Sequence, residues 1–210
     1  MASASLQYVS WKTACLLLLA SGRRRGDISA IAADRVFAKR DQSEHILYPM
    51  LGYIPKIIDA AEANSRFKQI TIPAIKQFIG PSQQEPDGLL CPVTAVAHYQ
   101  LRSKSLRRGR KKLFIPFQEY NRREQSPNAL SSWIKSLIRY AYLKVSSHEQ
   151  SLHSVSVHEI RALASSLAIQ GTFSLEDVLQ ACVWKNNSTF SEFYLMDLTI
   201  WWMIYGHWTP

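Results

Sequence analysis

Residues 157–170 read VHEIRALASSLAIQ, with Gly171 directly after them. The stretch carries the composition of a helix, and the glycine is a fitting stop. On such a helix His158 and Arg161 stand three residues apart, one turn along the same face. Both can reach a single anionic group, and the imidazole can also take up a proton. A His-x-x-Arg quartet alone equally describes a polar strip facing solvent. Its meaning is set by the stretches that flank it.

Downstream, residues 182–195 read CVWKNNSTFSEFYL and contain Trp184 and Tyr194, with Thr189-Phe-Ser-Glu192 predicting a capped helix over 189–198. Upstream, residues 20–29 read ASGRRRGDIS, with Gly22 ending one helix and Asp27 favouring the start of another. Singly, each has an ordinary explanation: Arg23 to Arg25 as a helix-end charge cluster, Trp184 as one of 6 Trp, Tyr194 as one of 9 Tyr.

In this order and at this spacing (161 − 24 = 137 and 194 − 161 = 33) the three stretches resemble the tyrosine recombinase, or phage-integrase, family. Gly22-Arg23-Arg24 matches its first arginine turn, His158-Glu-Ile-Arg161 its second motif, and Trp184 with Tyr194 its last two positions. The segment GLLCPVTAVAHYQLRSKSLRRGRKKLFIPF is similar to the corresponding part of recombinases carried by eukaryotic mobile elements. The similarity runs over about residues 6–198. Tyr194 stands one residue further from Trp184 than in many members, whose offset falls here on the unreactive Phe193. The family's N-terminal DNA-clamping domain has no counterpart in these residues. Residues 1–198 are therefore expected to be a catalytic domain and 199–210 an apolar tail of the kind that docks on a neighbouring subunit.

The resemblance implies cleavage and rejoining of one DNA strand through a 3′-phosphotyrosine at Tyr194, in recombination or integration of a mobile element. Arg24, Arg161, His158 and Trp184 would hold the phosphate. A lysine on the sheet's hairpin would protonate the leaving 5′-oxygen, with Lys56 the better match and Lys68 its rival. Asp27 matches an accessory acidic position that orients an arginine. The chemistry is coherent: five-coordinate phosphorus gathers charge on its non-bridging oxygens, which planar guanidinium forks are shaped to hold. An indole N–H can only donate, and a phenol forms a stable phosphoryl ester that conserves the bond for religation. The implied partners are double-stranded DNA and other copies of the chain, as dimer or tetramer, without a metal or small-molecule cofactor. The alternative is a catalytically inactive DNA-binding remnant; a helical protein-interaction domain is a third possibility.

The rest of the chain agrees. Among 210 residues, 25 Lys and Arg against 16 Asp and Glu give +9, which favours a polyanionic partner. Arg23 and the run Arg107, Arg108, Arg110, Lys111 and Lys112 supply candidate nonspecific phosphate contacts. Cys15, Cys91 and Cys182 form no pair with metal or disulfide spacing, and the histidines show no ligand pattern. The apolar run at 14–20 is too short to span a bilayer, and Arg23 to Arg25 follow it, unlike a secretory signal. A reducing compartment follows, nuclear in a eukaryote and otherwise cytoplasmic.

Periodicity predicts an α+β, mainly α fold. Helices are expected at 6–20, near 27, from Pro92 to about 103, after Ser126-Pro127, at 157–170, at 174–181 and at 189–198. Strands are expected at 35–39, 45–48 and 69–72, and a strand-like piece at 113–117. Residues 49–68 read as a basic loop and 81–91 as a connector.

Overall fold

The computed structural model describes residues 4–41, 43–56, 69–74, 89–117, 124–143, 157–171, 173–184 and 187–195. Lys68, the connector up to residue 88 and the tail 199–210 lie outside them, as does most of the loop 49–68. Helix α1 (Leu6–Ser21) starts where Ser5 Oγ accepts the Tyr8 N–H at 3.4 Å, and ends at Gly22, whose φ of 57° lets its N–H return to Leu18 O. Val9, Thr13, Ala14, Leu17 and Leu18 are buried along one side. Each fully buried aliphatic side chain stabilises the fold by roughly 1.5–3 kcal/mol.

Helix α2 (Arg25–Ser29) leads into an antiparallel sheet of β1 (Ile31–Ala38), β2 (Glu44–Pro49) and β3 (Ile70–Pro73), in the order β1-β2-β3. The first strand begins four residues before the expected 35, and its register shifts between Ile31 and Val36. The polar pair Asp34-Arg35 interrupts the apolar run at that irregularity, so the sequence marks only the second half. Leu47, Ile70 and Ile72 are buried on one face, and α1 and the next helix pack close by.

Helix α3 (Pro92–Ser103) opens with proline in its first turn, where the missing N–H costs nothing, and buries Val93, Val96 and Tyr99. Residues 113–117 are not a strand. Leu113 to Ile115 are buried, with the Leu113 N–H on Ile31 O at 2.7 Å and the Ile115 N–H on the Tyr99 hydroxyl at 2.9 Å. A tyrosine side chain takes the place of a neighbouring strand, which no sequence pattern announces.

Helix α4 (Pro127–Tyr142) is capped by Ser126 as expected and buries Leu130, Trp133 and Ile134. Further along the helix the burial fades, with Leu137 and Ile138 half-buried and Ala141 exposed. Helices α5 (Val157–Gln170), α6 (Leu175–Ala181) and α7 (Asn187–Phe193) follow among the described residues. At α6 the Ser174 hydroxyl accepts the Asp177 N–H at 3.1 Å and donates to the Asp177 carboxylate at 2.6 Å. Helix α7 begins two residues before its predicted cap and stops at Phe193, so Tyr194 sits in the turn beyond it. The architecture is α+β and mainly helical, with α1 packed against α3, α4 and α5. Among the described residues no helix is long and apolar enough to cross a membrane.

Candidate active site

Two helix ends meet at the centre of the site. Gly22, past the end of α1, and Val183, past the end of α6, both adopt left-handed backbone, with φ of 57° and 53°. At Val183 this closes α6, since the Trp184 N–H reaches back to Leu179 O at 2.8 Å. A β-branched residue with this φ is strained, at a cost on the order of 1–3 kcal/mol.

The terminal carbonyls thus exposed carry the partial negative charge of a helix C-terminus, and Arg161 fills the space between them. Its Nε donates to Gly22 O at 2.9 Å, and its Nη2 donates to Cys182 O at 2.7 Å and to Val183 O at 3.4 Å. Arg24 Nη1 donates to the same Val183 carbonyl at 3.5 Å. Two guanidiniums from distant parts of the chain therefore converge on one oxygen.

Trp184 covers Arg161. Its ring centroid is 3.6 Å from Arg161 Cζ, and its Nε1 donates to Ser165 Oγ at 3.4 Å. The Tyr194 ring lies against the other aromatic, centroid to centroid 4.4 Å from Trp184, and Phe190 packs on the same indole at 5.5 Å. Ser165 also donates to Arg161 O at 2.9 Å, one turn back along α5.

Burial dominates the electrostatics of the three arginines. Burial pulls the Arg161 guanidinium down to about 10, and the positive charge of Arg24 adds to the fall. Burial also lowers Arg24 and Arg23. Asp27 and the Tyr194 phenol act in the opposite direction on both Arg24 and Arg161. Three cationic side chains thus stand near one buried carboxylate, Asp27, whose Oδ2 accepts the Arg24 N–H at 3.2 Å.

Arg24, Asp27, Arg161, Trp184 and Tyr194, all expected from sequence, are brought together, and Arg23 is buried beside them. His158 and Lys56 are exposed, and no hydrogen bond or ring contact among the described residues ties either to the cluster. The basic run is divided. Arg107 donates to Lys112 O, Ser103 Oγ and Leu113 O at 3.1, 2.9 and 3.0 Å, with Tyr99 under its guanidinium. Arg110 Nη1 bonds Leu106 O, and Lys112 Nζ bonds Gln125 O at 3.2 Å and pairs with Glu124 at 3.7 Å. Arg108, at a φ of 40°, and Lys111 are exposed.

Sequence reasoning passed over Ser165, Cys182 and Tyr53. Ser165 lies four residues after Arg161 on one helix face, a spacing that could have marked it. Cys182 shows no such signal; its thiol lies against Ser165 Oγ at 3.6 Å and the Ser21 carbonyl at 3.8 Å.

A solved structure supplies the comparison for this arrangement. The chain superposes on the crystal structure of XerA recombinase with a TM-score of 0.58 at 12% identity, over 97% of this chain and 62% of that one. The chain shares the fold of that structure. At this identity the likeness concerns fold, and the chain spans less than two thirds of the neighbour's length. No family model matches the sequence. No curated protein matches it either.

Proposed function

We propose that the chain is the catalytic domain of a tyrosine-type DNA recombinase from a mobile element. The observation that carries this reading is the convergence of Arg24 and Arg161 on Val183 O, with Tyr194 stacked on the indole that covers Arg161. Two guanidiniums, Arg161 buried and Arg24 half-buried, both lowered by burial and the first also by the charge of the second, gain most from a ligand with paired anionic oxygens, and a DNA phosphodiester offers them. The fold shared with XerA recombinase supports the same substrate class.

In the proposed step the Tyr194 hydroxyl oxygen attacks phosphorus and the bond from phosphorus to the 5′-oxygen breaks. His158 takes the phenol proton, and Lys56 gives a proton to the departing oxygen. The product is a 3′-phosphotyrosyl strand and a free 5′-hydroxyl, and attack by another 5′-hydroxyl reverses the chemistry on a new partner. For His158 and Lys56 to act, bound DNA must draw both exposed side chains to the phosphate. Synapsis of two DNA sites requires the chain to self-associate as dimer or tetramer, in the nucleus if the host is eukaryotic.

A nicked suicide duplex tests this, because loss of the short fragment beyond the cut prevents religation. The wild type is expected to give a covalent adduct resistant to denaturant, and Tyr194→Phe none. A second reading, a DNA-binding domain that does not cut, draws on the commitment of Arg161 Nε and Nη2 to backbone carbonyls. It predicts salt-sensitive binding by both proteins and an adduct with neither.

A further inference from the structure

We infer that Tyr53 is a positioning residue for Arg24, acting through Asp27; this rests on the phosphate-binding reading of the site above. Asp27 is 2% exposed and its carboxylate is shared. Oδ2 accepts the backbone N–H of Arg24 at 3.2 Å, and Oδ1 accepts the Tyr53 hydroxyl at 2.9 Å. The first bond fixes the start of α2, where Arg24 is the N-cap residue, and hence the root of the Arg24 side chain. The second ties that start to the segment after β2.

The segment is anchored independently. The Met50 N–H donates to Ala30 O at 2.8 Å, the Tyr53 N–H donates to Met50 O at 3.1 Å, and the Tyr53 ring packs on the main core. The turn at 50–53 therefore has a fixed place, and the hydroxyl it delivers to Asp27 is held at its root. Burial, the Asp27 charge and the hydrogen bond to it raise the phenol far above its ordinary range, so it stays a donor at every working pH.

Gly26 gives the hydroxyl its room. A Cβ at residue 26 would lie 3.2 Å from Tyr53 Oη, tighter than ordinary packing tolerates. The glycine here thus has a steric reason that its backbone does not supply. An unanchored Asp27 carboxylate could swing toward the guanidiniums of Arg24 and Arg161 and compete with the phosphate. Tyr53 holds one oxygen and leaves the guanidinium N–H groups not bound to backbone carbonyls to the ligand. Lys56 follows three residues later, within about 11 Å of chain, so the same bond delivers the proposed acid toward the site.

The test uses inorganic phosphate as probe and the phosphate-dependent rise in melting temperature as readout, which needs no cleavage. Tyr53→Phe is expected to raise the phosphate dissociation constant about tenfold, the scale of one lost hydrogen bond to a charged group. Gly26→Ala, which displaces the same hydroxyl, is expected to do likewise. In an Arg24→Ala background Tyr53→Phe should add nothing, because the group it positions is gone. A merely structural Tyr53 would lower the melting temperature in buffer and leave the dissociation constant alone. Unchanged phosphate affinity in Tyr53→Phe, full additivity with Arg24→Ala, or a wild type that phosphate does not stabilise would each overturn the inference. Failure of the cleavage reading is seen separately, as phosphate binding without any adduct on the suicide duplex.

Discussion

The guanidinium carbon of Arg161 lies 3.6 Å from the centroid of the Trp184 ring, and the indole N–H points away from it to Ser165. Trp184 therefore acts in this geometry through its face, holding Arg161 on one contact and Tyr194 on another. Trp184→Phe keeps a face and loses the N–H, whereas Trp184→Ala loses both. Single-turnover adduct formation should fall by less than about tenfold in the first and by roughly 10²-fold or more in the second, given the sensitivity of such reactions to misplacement. Equal losses in the two variants would assign the indole N–H the main role.

Gly22 and Cys182 make the second sharp relationship. A Cβ at Gly22 would collide with Cys182 Sγ, and the φ of 57° disfavours any L side chain. Gly22→Ala is expected to cost at least about 2 kcal/mol, of which the left-handed backbone supplies roughly 1–2 kcal/mol. Cys182→Ala, added to it, should recover the part due to collision and none of the backbone part. Urea midpoints of the two single variants and the double variant check this, and simple additivity would contradict it.

The site was legible where one stretch supplied several residues at helical or turn spacing. Gly22-Arg23-Arg24 with Asp27, Arg161 of the quartet at 158–161, and Trp184 with Tyr194 are marked only jointly, by type, order and spacing, and most of the elements that carry them follow from caps and stops; His158, marked by the same quartet, stands exposed outside the cluster. Other relationships were not legible, for physical reasons. Tyr53 meets Asp27 across 26 residues and Cys182 meets Ser21 across 161, through contacts that leave no local period. The piece at 113–117 has strand composition yet finds its donors' partners on Ile31 O and the Tyr99 hydroxyl, so composition alone misassigns it. The basic run reads as uniform charge, although bonding commits Arg107 to the fold and leaves Lys111 exposed.

That division gives a third prediction. Arg107 satisfies two carbonyls and a hydroxyl, so Arg107→Ala should destabilise the fold by roughly 2 kcal/mol or more. Lys111→Ala should leave stability within about 0.5 kcal/mol of the wild type and reduce the salt slope of DNA binding by about one. Chemical denaturation and a salt titration measured on both variants separate the two roles. A normal melting temperature for Arg107→Ala would remove the structural assignment.

His45 supplies a pH dependence. It is 6% exposed in β2, its Nδ1 has no hydrogen-bond partner among the described residues, and burial lowers its pKa below the ordinary 6.5. His98 shifts the same way, by burial and then by Arg102. The folded chain thus resists a proton that the unfolded chain accepts. Stability from these groups is complete above the unfolded value and declines as pH falls below about 6.5 toward the folded values. His45→Leu, next to Ile72 in the sheet, should flatten part of the decline seen in urea midpoints between about pH 7 and pH 5. An undiminished slope in that variant would contradict the assignment.

The central claim is that Tyr194, packed against the indole of Trp184 that covers Arg161, is the nucleophile. Its most direct measurement is the mass of the peptide that carries DNA after reaction with the suicide duplex, nuclease treatment and trypsin. No Lys or Arg follows Lys185, so residues 186–210 remain in one peptide, and its fragmentation distinguishes Tyr194 from Tyr205. The account predicts a nucleotide joined through its 3′-phosphate to Tyr194, and no modified peptide from Tyr194→Phe. A nucleotide on any other residue, or an unmodified 186–210 peptide from wild type after full incubation with DNA, would contradict it.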